Sequence, residues 1–374
     1  MKYIRIFINL LAVALFLALA PAALASTWYV DGVNGNDNND CKSWKHACQT
    51  IGHAISLASS GDTIKVAPAT YYENLTISTS LTIVGSDTTT TIVDGGGTNT
   101  VFTISIGTGP VVLSKLTIQN GYGYYAGGVT NRGTLTVNRV AIVGSNATLG
   151  VGGISGLGPL TINNSTISGN STGGIYNQAA ATINNSTISG NSGAGEGGGI
   201  ENDIMGTLTI NNSTISGNSA TYWGGGIENT GTLTINNSTI SGNSAAKGGG
   251  IMLDGQWGGT VSLQNSIVAK NSGGNCSGTM TSLGYNLSSD NTCNFSGPGD
   301  MNNTPAKLGK LGNHGGPTQT IPELKGSPAI DAGNPAGCTD SQGHLLTTDQ
   351  RGYPRPDKED NGIGCDMGAY EKQM

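Results

Sequence analysis

The sequence predicts an all-β fold, a right-handed parallel β-helix in which short strands stack into the three sheets of a solenoid. The phrase Asn-Asn-Ser-Thr-Ile-Ser-Gly-Asn occurs four times, at 163–170, 184–191, 211–218 and 236–243. The phrase Gly-Gly-Ile occurs five times, at 152–154, 173–175, 198–200, 225–227 and 249–251. The apolar residue before each Asn pair recurs after 21 residues from Ile162 to Ile183 and after 28 from Ile235 to Leu263. Such a period is typical of stacked units that bury their apolar faces against one another.

Each repeat predicts three short strands separated by turns. In one copy the strands are expected at 207–210, 213–216 and 225–229, where Ile and Thr alternate with turn-forming Gly and Asn. These Gly and Asn residues recur too closely for a helix of ordinary length to fit between them. Coils stacked at the roughly 4.8 Å strand spacing form a parallel β-helix. Right-handed winding is the expected sense of parallel crossovers.

Two columns of asparagine are expected to stack along the solenoid. Stacked side-chain amides can hydrogen-bond from one coil to the next while the chain turns between sheets. The first predicted ladder comprises Asn164, Asn185, Asn212, Asn237 and Asn265, and the second comprises Asn170, Asn191, Asn218, Asn243 and Asn271. These asparagines are interpreted as structural.

These repeats resemble those of known exported proteins. Over residues 27–295 the chain resembles a secreted β-helix of the pectin-lyase-like superfamily. Its Gly-Gly-Ile and Ile-x-x-Asn phrases are similar to the repeats of chlamydial polymorphic outer membrane proteins, which commonly have Phe where this chain has Ile167 or Ile188. The resemblance implies a fold rather than an activity.

The composition excludes several classes of function. The chain has 374 residues, of which 61 are Gly and 11% are charged, as suits a thin aliphatic core in a solenoid. A net charge of −6 and a pI near 5.1 argue against a nucleic-acid partner. We expect a monomer, with a polysaccharide or cell-surface ligand as the possible partner.

Residues 1–25 have the pattern of a signal peptide. Lys2 and Arg5 precede an apolar stretch at 6–20, and Ala23-Leu24-Ala25 matches a small-x-small cleavage site. An uncleaved membrane anchor is the alternative interpretation. No other stretch is apolar for long enough to span a bilayer, so the mature chain is predicted to have no transmembrane segment and to be extracellular or at the cell surface or outer membrane.

The six cysteines agree with export. They form three pairs that are local in sequence, Cys41 with Cys48, Cys276 with Cys293, and Cys338 with Cys365. Six cysteines allow 15 connectivities, so this local pairing is a preference. A zinc site is the competing hypothesis, but no Cys-x-x-Cys occurs, and disulfides are favoured.

Residues 26–74 are predicted to form an N-terminal cap and the first strands. Apolar residues spaced as in an amphipathic helix predict one short helix at 48–59, which would cover the open end of the solenoid. The polar loop before it carries Asp31, Asp37 and Asp40, which are weak candidates for a Ca²⁺ site. Hydrogen bonding of these carboxylates within their own turns is the favoured interpretation, and no other cofactor is expected.

The remaining chain divides into two parts. The β-helix is expected at 75–299, with its regular repeats at about 134–271. Residues 300–374 are predicted to be a separate, loop-rich module with a disulfide. Gly326-Ser327-Pro328-Ala329-Ile330-Asp331-Ala332-Gly333 and Asp366-Met367-Gly368-Ala369-Tyr370-Glu371 resemble the "choice-of-anchor Q" region of bacterial surface proteins.

Functional residues are sought where the repeats differ. Glu201 and Glu228 follow the Ile of neighbouring Gly-Gly-Ile phrases, so both should face outward from adjacent coils. Four further candidates for ligand binding on the same face are Tyr176, Glu196, Trp223 and Lys247.

Two functions fit this face. The favoured hypothesis is an extended structural or binding scaffold of the adhesin type, with a glycan as one ligand that this face could take. The alternative is a carbohydrate-active enzyme in which Glu201 and Glu228 lie about 5 Å apart, as in a retaining glycosidase, or farther apart, as in an inverting one. A hydrolase is favoured over a lyase, because no compact Asp cluster with a basic partner is found, and such a cluster is what the resemblance to lyases would require.

Overall fold

The solenoid predicted from the repeats is the fold of the protein. The computed structural model describes residues 25–356 and 364–373, so the predicted signal peptide lies outside the described residues except for Ala25. Every pairing between the strands is parallel, and three sheets run along the molecule. Two long strands, Pro110–Gln119 and Thr134–Val143, bend from the first sheet into the second and join them.

The other strands of the first sheet are Thr27–Val30, Asp62–Val66, Leu81–Val84, Leu160–Asn163, Ala180–Asn184, Thr207–Asn211, Thr232–Asn236, Thr260–Gln264 and Thr281–Ser282. Those of the second sheet are Ala69–Tyr72, Thr91–Asp94, Thr166–Ser168, Thr187–Ser189, Thr214–Ser216, Thr239–Ser241, Ile267–Ala269 and Leu287–Ser288. The third sheet consists of Leu75–Ile77, Phe102–Ile104, Val129–Asn131, Ile154–Gly156, Ile175–Asn177, Ile200–Asn202, Ile227–Asn229, Ile251–Leu253 and Cys276–Ser277. Two short pairs, Tyr122–Gly123 with Asn146–Ala147 and Ser192–Gly193 with Ser219–Ala220, lie in the turns.

The core consists of like residues stacked on like residues. In the first sheet Ile183, Ile210 and Ile235 are register partners and are buried. In the third sheet Ile200 pairs with Ile227 in the same way. Because each regular coil offers the same shape to the next, columns of aliphatic side chains fill most of the interior, and aromatic core residues such as Phe102 lie outside the regular repeats.

A continuous amide ladder runs through the second predicted Asn column. The Nδ2 of Asn191 donates to the Oδ1 of Asn218 at 2.9 Å, and the Nδ2 of Asn218 donates to the Oδ1 of Asn243 at 3.0 Å. The same Nδ2 of Asn218 also donates to the carbonyl of Ile188, and its Oδ1 accepts the backbone N–H of Asn191. In each regular coil, these bonds satisfy buried backbone N–H and carbonyl groups at the turn between the second and third sheets.

The first predicted Asn column is not a ladder of this kind. Its members have left-handed backbone conformations with φ between 47° and 52°, and they form the corner between the first and second sheets. Asn212 is the one member that donates to the preceding one, Asn185. The left-handed turn swings these side chains outward, and the ladder is formed instead by the preceding residue of each pair, as where Asn211 Nδ2 donates to Asn184 Oδ1 at 3.0 Å.

The N-terminal cap contains the predicted helix in shorter form. The helix spans Ile51–Leu57, and the hydroxyl of Thr50 caps it by accepting the N–H of His53. The Glu73 carboxylate accepts the N–H groups of Ile51 and Gly52 at 2.8 Å. Two 3₁₀ turns, Trp44–His46 and Gly255–Trp257, complete the helical residues of the described chain. No helix in the described ranges is long and apolar enough to cross a membrane.

The C-terminal module lies along the outer face of the second sheet. The Gln350 side chain is inserted between coils, accepting from Thr214 Oγ1 at 2.6 Å and donating to Thr187 Oγ1 at 2.9 Å. Corner asparagines bind the same module, since Asn237 Nδ2 donates to the carbonyl of Thr339 at 2.6 Å. The outward side chains of the Asn corner therefore attach the module to the solenoid.

The three sequence-local disulfides are present. Cys41 pairs with Cys48, Cys276 with Cys293, and Cys338 with Cys365. The first closes a loop of the cap, the second closes the last coils, and the third closes the C-terminal module. The described residues of that module contain isolated bridges but neither helix nor extended strand, as the sequence indicated.

Candidate ligand-binding groove

The outer face of the third sheet forms the floor of a groove. In the strand Ile200–Asn202 the first and last side chains are fully buried in the core, so Glu201 between them faces outward. Its register partners are Tyr176 in the preceding coil and Glu228 in the following one, and Met252 follows Glu228. The sequence placed Tyr176, Glu201 and Glu228 on one face, and the structure brings them together in one row with Met252.

One wall of the groove comes from the loops that precede the third sheet. Trp223 forms parallel bridges with Glu196 on one side and Lys247 on the other, so the three predicted residues form one column over successive coils. All three are exposed, and Trp223 has 41% of its surface accessible.

Glycine sets how closely this wall approaches the floor. Gly197 and Gly224 follow Glu196 and Trp223 and have φ values of 57° and 61°. A Cβ atom on Gly197 would lie 2.6 Å from the Cβ of Glu201, and one on Gly224 would lie 2.6 Å from the Cα of Glu228. The left-handed turn and the close contact both require glycine, and they fold the wall directly over the two glutamates.

The opposite wall comes from residues that follow the third sheet. Gln178 and Asp203 occupy the position after the buried Asn177 and Asn202. The Tyr176 hydroxyl donates to Asp203 Oδ2 at 2.6 Å, and Gln178 Nε2 donates to the same oxygen at 2.8 Å. This network fixes the orientation of the tyrosine ring across the floor.

A cavity of about 690 Å³ occupies the groove on the N-terminal side. Tyr176, Gln178, Glu196 and Glu201 line it together with Arg132 from an earlier coil. A smaller cavity of about 240 Å³ continues the groove on the C-terminal side, and its lining residues include Trp223, Lys247, Met252 and Asp254. The groove therefore extends over several coils, with polar groups on both walls and the Trp223 ring in one of them.

The two floor glutamates have unusual electrostatics. Burial, reinforced by the charges of Glu196 and Asp203, raises the pKa of Glu201 to about 7. Burial, reinforced first by the charge of Glu201, raises the pKa of Glu228 to about 8. Neither carboxyl group has a hydrogen-bond partner among the residues that the structure describes. Glu228 is only 3% exposed, so a nearly buried polar group faces the groove without a protein partner.

Asp203 behaves differently from these glutamates. Burial alone would raise its pKa, but the hydrogen bonds from Tyr176, the Ile204 N–H and Gln178 hold the pKa below its ordinary value. The groove thus contains a carboxylate with a lowered pKa beside two carboxyl groups whose pKa values are raised to about 7 and about 8.

The sequence did not identify the second wall. Arg132, Gln178, Asp203 and Asp254 were not among the predicted site residues. A signal exists in the repeats, because Gln178 and Asp203 directly follow the Asn of the Ile-x-Asn phrase in successive coils. This signal can be used only if the Asn is known to end the strand, because the next residue then lies at the edge of the groove.

The Asp-rich loop of the cap is held by its own chain. Asp31 accepts the N–H groups of Val33 and Asn34. Asp37 accepts from the N–H and the hydroxyl of Thr50, and Asp40 accepts the N–H of Lys42. The three carboxylates do not form a group close enough to hold one ion, and the one such group within the described ranges is Cys41, Cys48 and His53, whose two cysteines form a disulfide. The weak Ca²⁺ hypothesis for this loop therefore has no support in the geometry.

Comparison with solved structures identifies the fold. The pectate lyase Pel9A aligns with a TM-score of 0.52 and 15% identity, covering 93% of this chain and 96% of that chain. A complex of XylC with xylose aligns with a TM-score of 0.49 and 9% identity over 92% and 98% of the two chains. The pectin methylesterase PemA from Erwinia chrysanthemi aligns with a TM-score of 0.35 and 15% identity over 87% and 94%. No protein-family model matches the chain, and no curated protein sequence matches it.

The protein is accordingly a parallel β-helix, a fold that it shares with the pectate lyase. At this level of identity the likeness to the pectate lyase establishes the fold alone. Any activity has to be inferred from the groove.

Proposed function

We propose that the protein is a carbohydrate-binding β-helix whose ligand lies in the groove on the third sheet. The observation that carries the proposal is the groove itself, in which Trp223 stands in one wall and the Glu201 carboxyl group lines the cavity without a protein partner. Sugars present apolar faces and many hydroxyl groups, which match an aromatic surface beside unpaired hydrogen-bonding groups. A fold shared with a pectate lyase is compatible with such a ligand.

Binding is favoured over hydrolysis by the position of Glu228. A glycosidase needs two carboxyl groups on either side of the scissile bond, both within reach of the substrate. Glu201 lines the larger cavity, but Glu228 is 3% exposed and lies beneath the Trp223 loop. In this arrangement a sugar would meet one carboxyl group at the surface of the groove and not the pair.

The proposal includes export and a role at the cell surface. The signal-peptide pattern of residues 1–25 and three disulfides support an oxidising location outside the cytoplasm. The resemblance of residues 300–374 to a choice-of-anchor region supports surface attachment. A rigid solenoid with a lateral groove suits an extended scaffold of the adhesin type.

Removing the Trp223 ring is expected to weaken carbohydrate binding by at least about 10-fold. Truncation of a central aromatic residue commonly costs about 2 kcal/mol in binding free energy. The measurement is affinity electrophoresis of wild type and Trp223→Ala through gels that contain soluble polysaccharides of plant, algal and bacterial origin.

The matched control is Trp44→Ala. Trp44 is also half exposed, but it packs against Tyr29 in the N-terminal cap, away from the groove. Wild type and Trp44→Ala should be retarded alike by the polysaccharide that binds. Equal retardation of Trp223→Ala, or equal loss in both variants, would contradict binding in the groove.

A further inference from the structure

The charges around the groove restrict what kind of polysaccharide it accepts. Its two central coils contribute four acidic residues, Glu196, Glu201, Asp203 and Glu228, and no basic residue. The nearest cations are Arg132 towards one end of the groove and Lys247 towards the other. A polymer with a carboxylate on every sugar would bring its charges against the negative charges of Glu196 and Asp203 in these coils.

We infer that the groove takes a neutral polysaccharide and discriminates against polyuronates, and this inference rests on the proposed carbohydrate-binding function. Glu201 lines the larger cavity of the groove and has no hydrogen-bond partner among the described residues. An uncharged hydroxyl group can both donate to and accept from such a carboxyl group, whereas a second carboxylate can only compete for its proton.

A divalent cation does not offer an obvious way around this repulsion. Bridging an acidic polymer to an acidic wall would need several protein oxygens converging on one position. In the part of the chain that the structure describes, no three of the groove carboxylates have oxygens close enough to bind one ion together. The groove also differs here from what a likeness to pectin-active proteins alone would suggest.

The hydrogen-bonding groups on the walls agree with a neutral ligand. Asp203 Oδ2 is already occupied by the Tyr176 hydroxyl and Gln178, so this acid orients its neighbours and leaves the tyrosine ring fixed against the floor. Glu196 is exposed, and its carboxylate can only accept hydrogen bonds. A hydroxyl group of the ligand can donate such a bond, whereas a carboxylate of the ligand cannot.

The test compares matched neutral and acidic polymers at pH 7 and low salt. Each neutral polysaccharide that retards the wild-type protein is compared with the same polymer after its primary hydroxyl groups have been oxidised to carboxylates. Polygalacturonate is run in parallel, with and without Ca²⁺. We expect the oxidised form to bind at least about 10-fold more weakly than its parent, and polygalacturonate not to bind.

A charge-neutralising variant separates electrostatic discrimination from poor fit. Glu196→Gln should reduce the difference in affinity between the neutral polymer and its oxidised form, because it removes an exposed charge from the wall. Asp87→Asn is the control, since this exposed acid lies away from the groove, near Lys115. The control variant should show the same difference in affinity between the two polymers as wild type.

The outcomes are distinguishable. Stronger binding of polygalacturonate or of the oxidised polymer would overturn the inference while the carbohydrate-binding function stands. The inference would also be overturned if Glu196→Gln showed the same difference in affinity between the neutral and the oxidised polymer as wild type. Absence of binding to every polymer, neutral or acidic, would remove the proposed function itself.

Discussion

Asn218→Ala is expected to destabilise the protein by about 3–5 kcal/mol, which is among the largest effects of any single substitution in the solenoid. The Asn218 side chain makes hydrogen bonds to Asn191, Asn243 and the carbonyl of Ile188, and the residue is 1% exposed. Alanine removes these bonds and takes away the partners of the buried Asn191 backbone N–H and Ile188 carbonyl, at about 1–3 kcal/mol for each unsatisfied group. The measurement is the urea-unfolding midpoint followed by far-UV circular dichroism.

Asn38→Ala is the control for this prediction. Asn38 lies exposed in the loop of the N-terminal cap, and its replacement should change the free energy of unfolding by less than about 0.5 kcal/mol. Equal midpoints for Asn218→Ala and wild type would show that the amide ladder is not what holds adjacent coils together.

Glu228→Gln is expected to stabilise the protein at alkaline pH and to have almost no effect in acid. The folded state raises the pKa of Glu228 to about 8 from an ordinary value of 4.5, chiefly by burial. The folded carboxyl group therefore holds its proton more tightly than the unfolded one, and wild type loses stability as pH rises from about 4.5 to about 8. Above that window the loss is complete, on the order of 3–5 kcal/mol, and glutamine avoids it because it does not ionise.

The measurement for Glu228→Gln is thermal unfolding at pH 4, 6 and 9. The variant and wild type should unfold at similar temperatures at pH 4, and the variant should unfold at a higher temperature at pH 9. Asp40→Asn, in the exposed loop of the cap, should show a difference from wild type that does not grow with pH. A variant that is less stable than wild type at pH 9 would mean that Glu228 is ionised and favourably paired in the folded protein.

The architecture could be predicted because the same pattern of core and turn residues recurs in several copies of the repeat. Ile183, Ile210 and Ile235 occupy the same phrase in successive copies, so their spacing alone shows which residues stack in the core. The three strands per coil follow from the turn-forming Gly and Asn residues that separate them. The row of Tyr176, Glu201 and Glu228 could be placed on one outer face for the same reason, because one residue after a buried Ile must point outward.

Other features depend on geometry that the repeats do not encode. Asn164 and Asn170 look alike in sequence, yet Asn164 has a left-handed backbone at a corner, whereas Asn170 is in the buried ladder. The docking of Gln350 between Thr187 and Thr214 joins residues more than 130 positions apart and follows no periodicity. The burial of Glu228 arises from the Gly224 turn above it, and its exposure could not be read from the alternation of the strand.

Hydrogen–deuterium exchange with and without a bound oligosaccharide tests the central claim most directly, namely that the carbohydrate lies in the groove on the third sheet. The oligosaccharide is a fragment of the polymer that retards the wild-type protein most strongly. The account predicts slower amide exchange on binding at 193–203 and 219–230, which form the wall and floor, and no change at 300–356 in the C-terminal module. Protection confined to the C-terminal module or to the second sheet would contradict it.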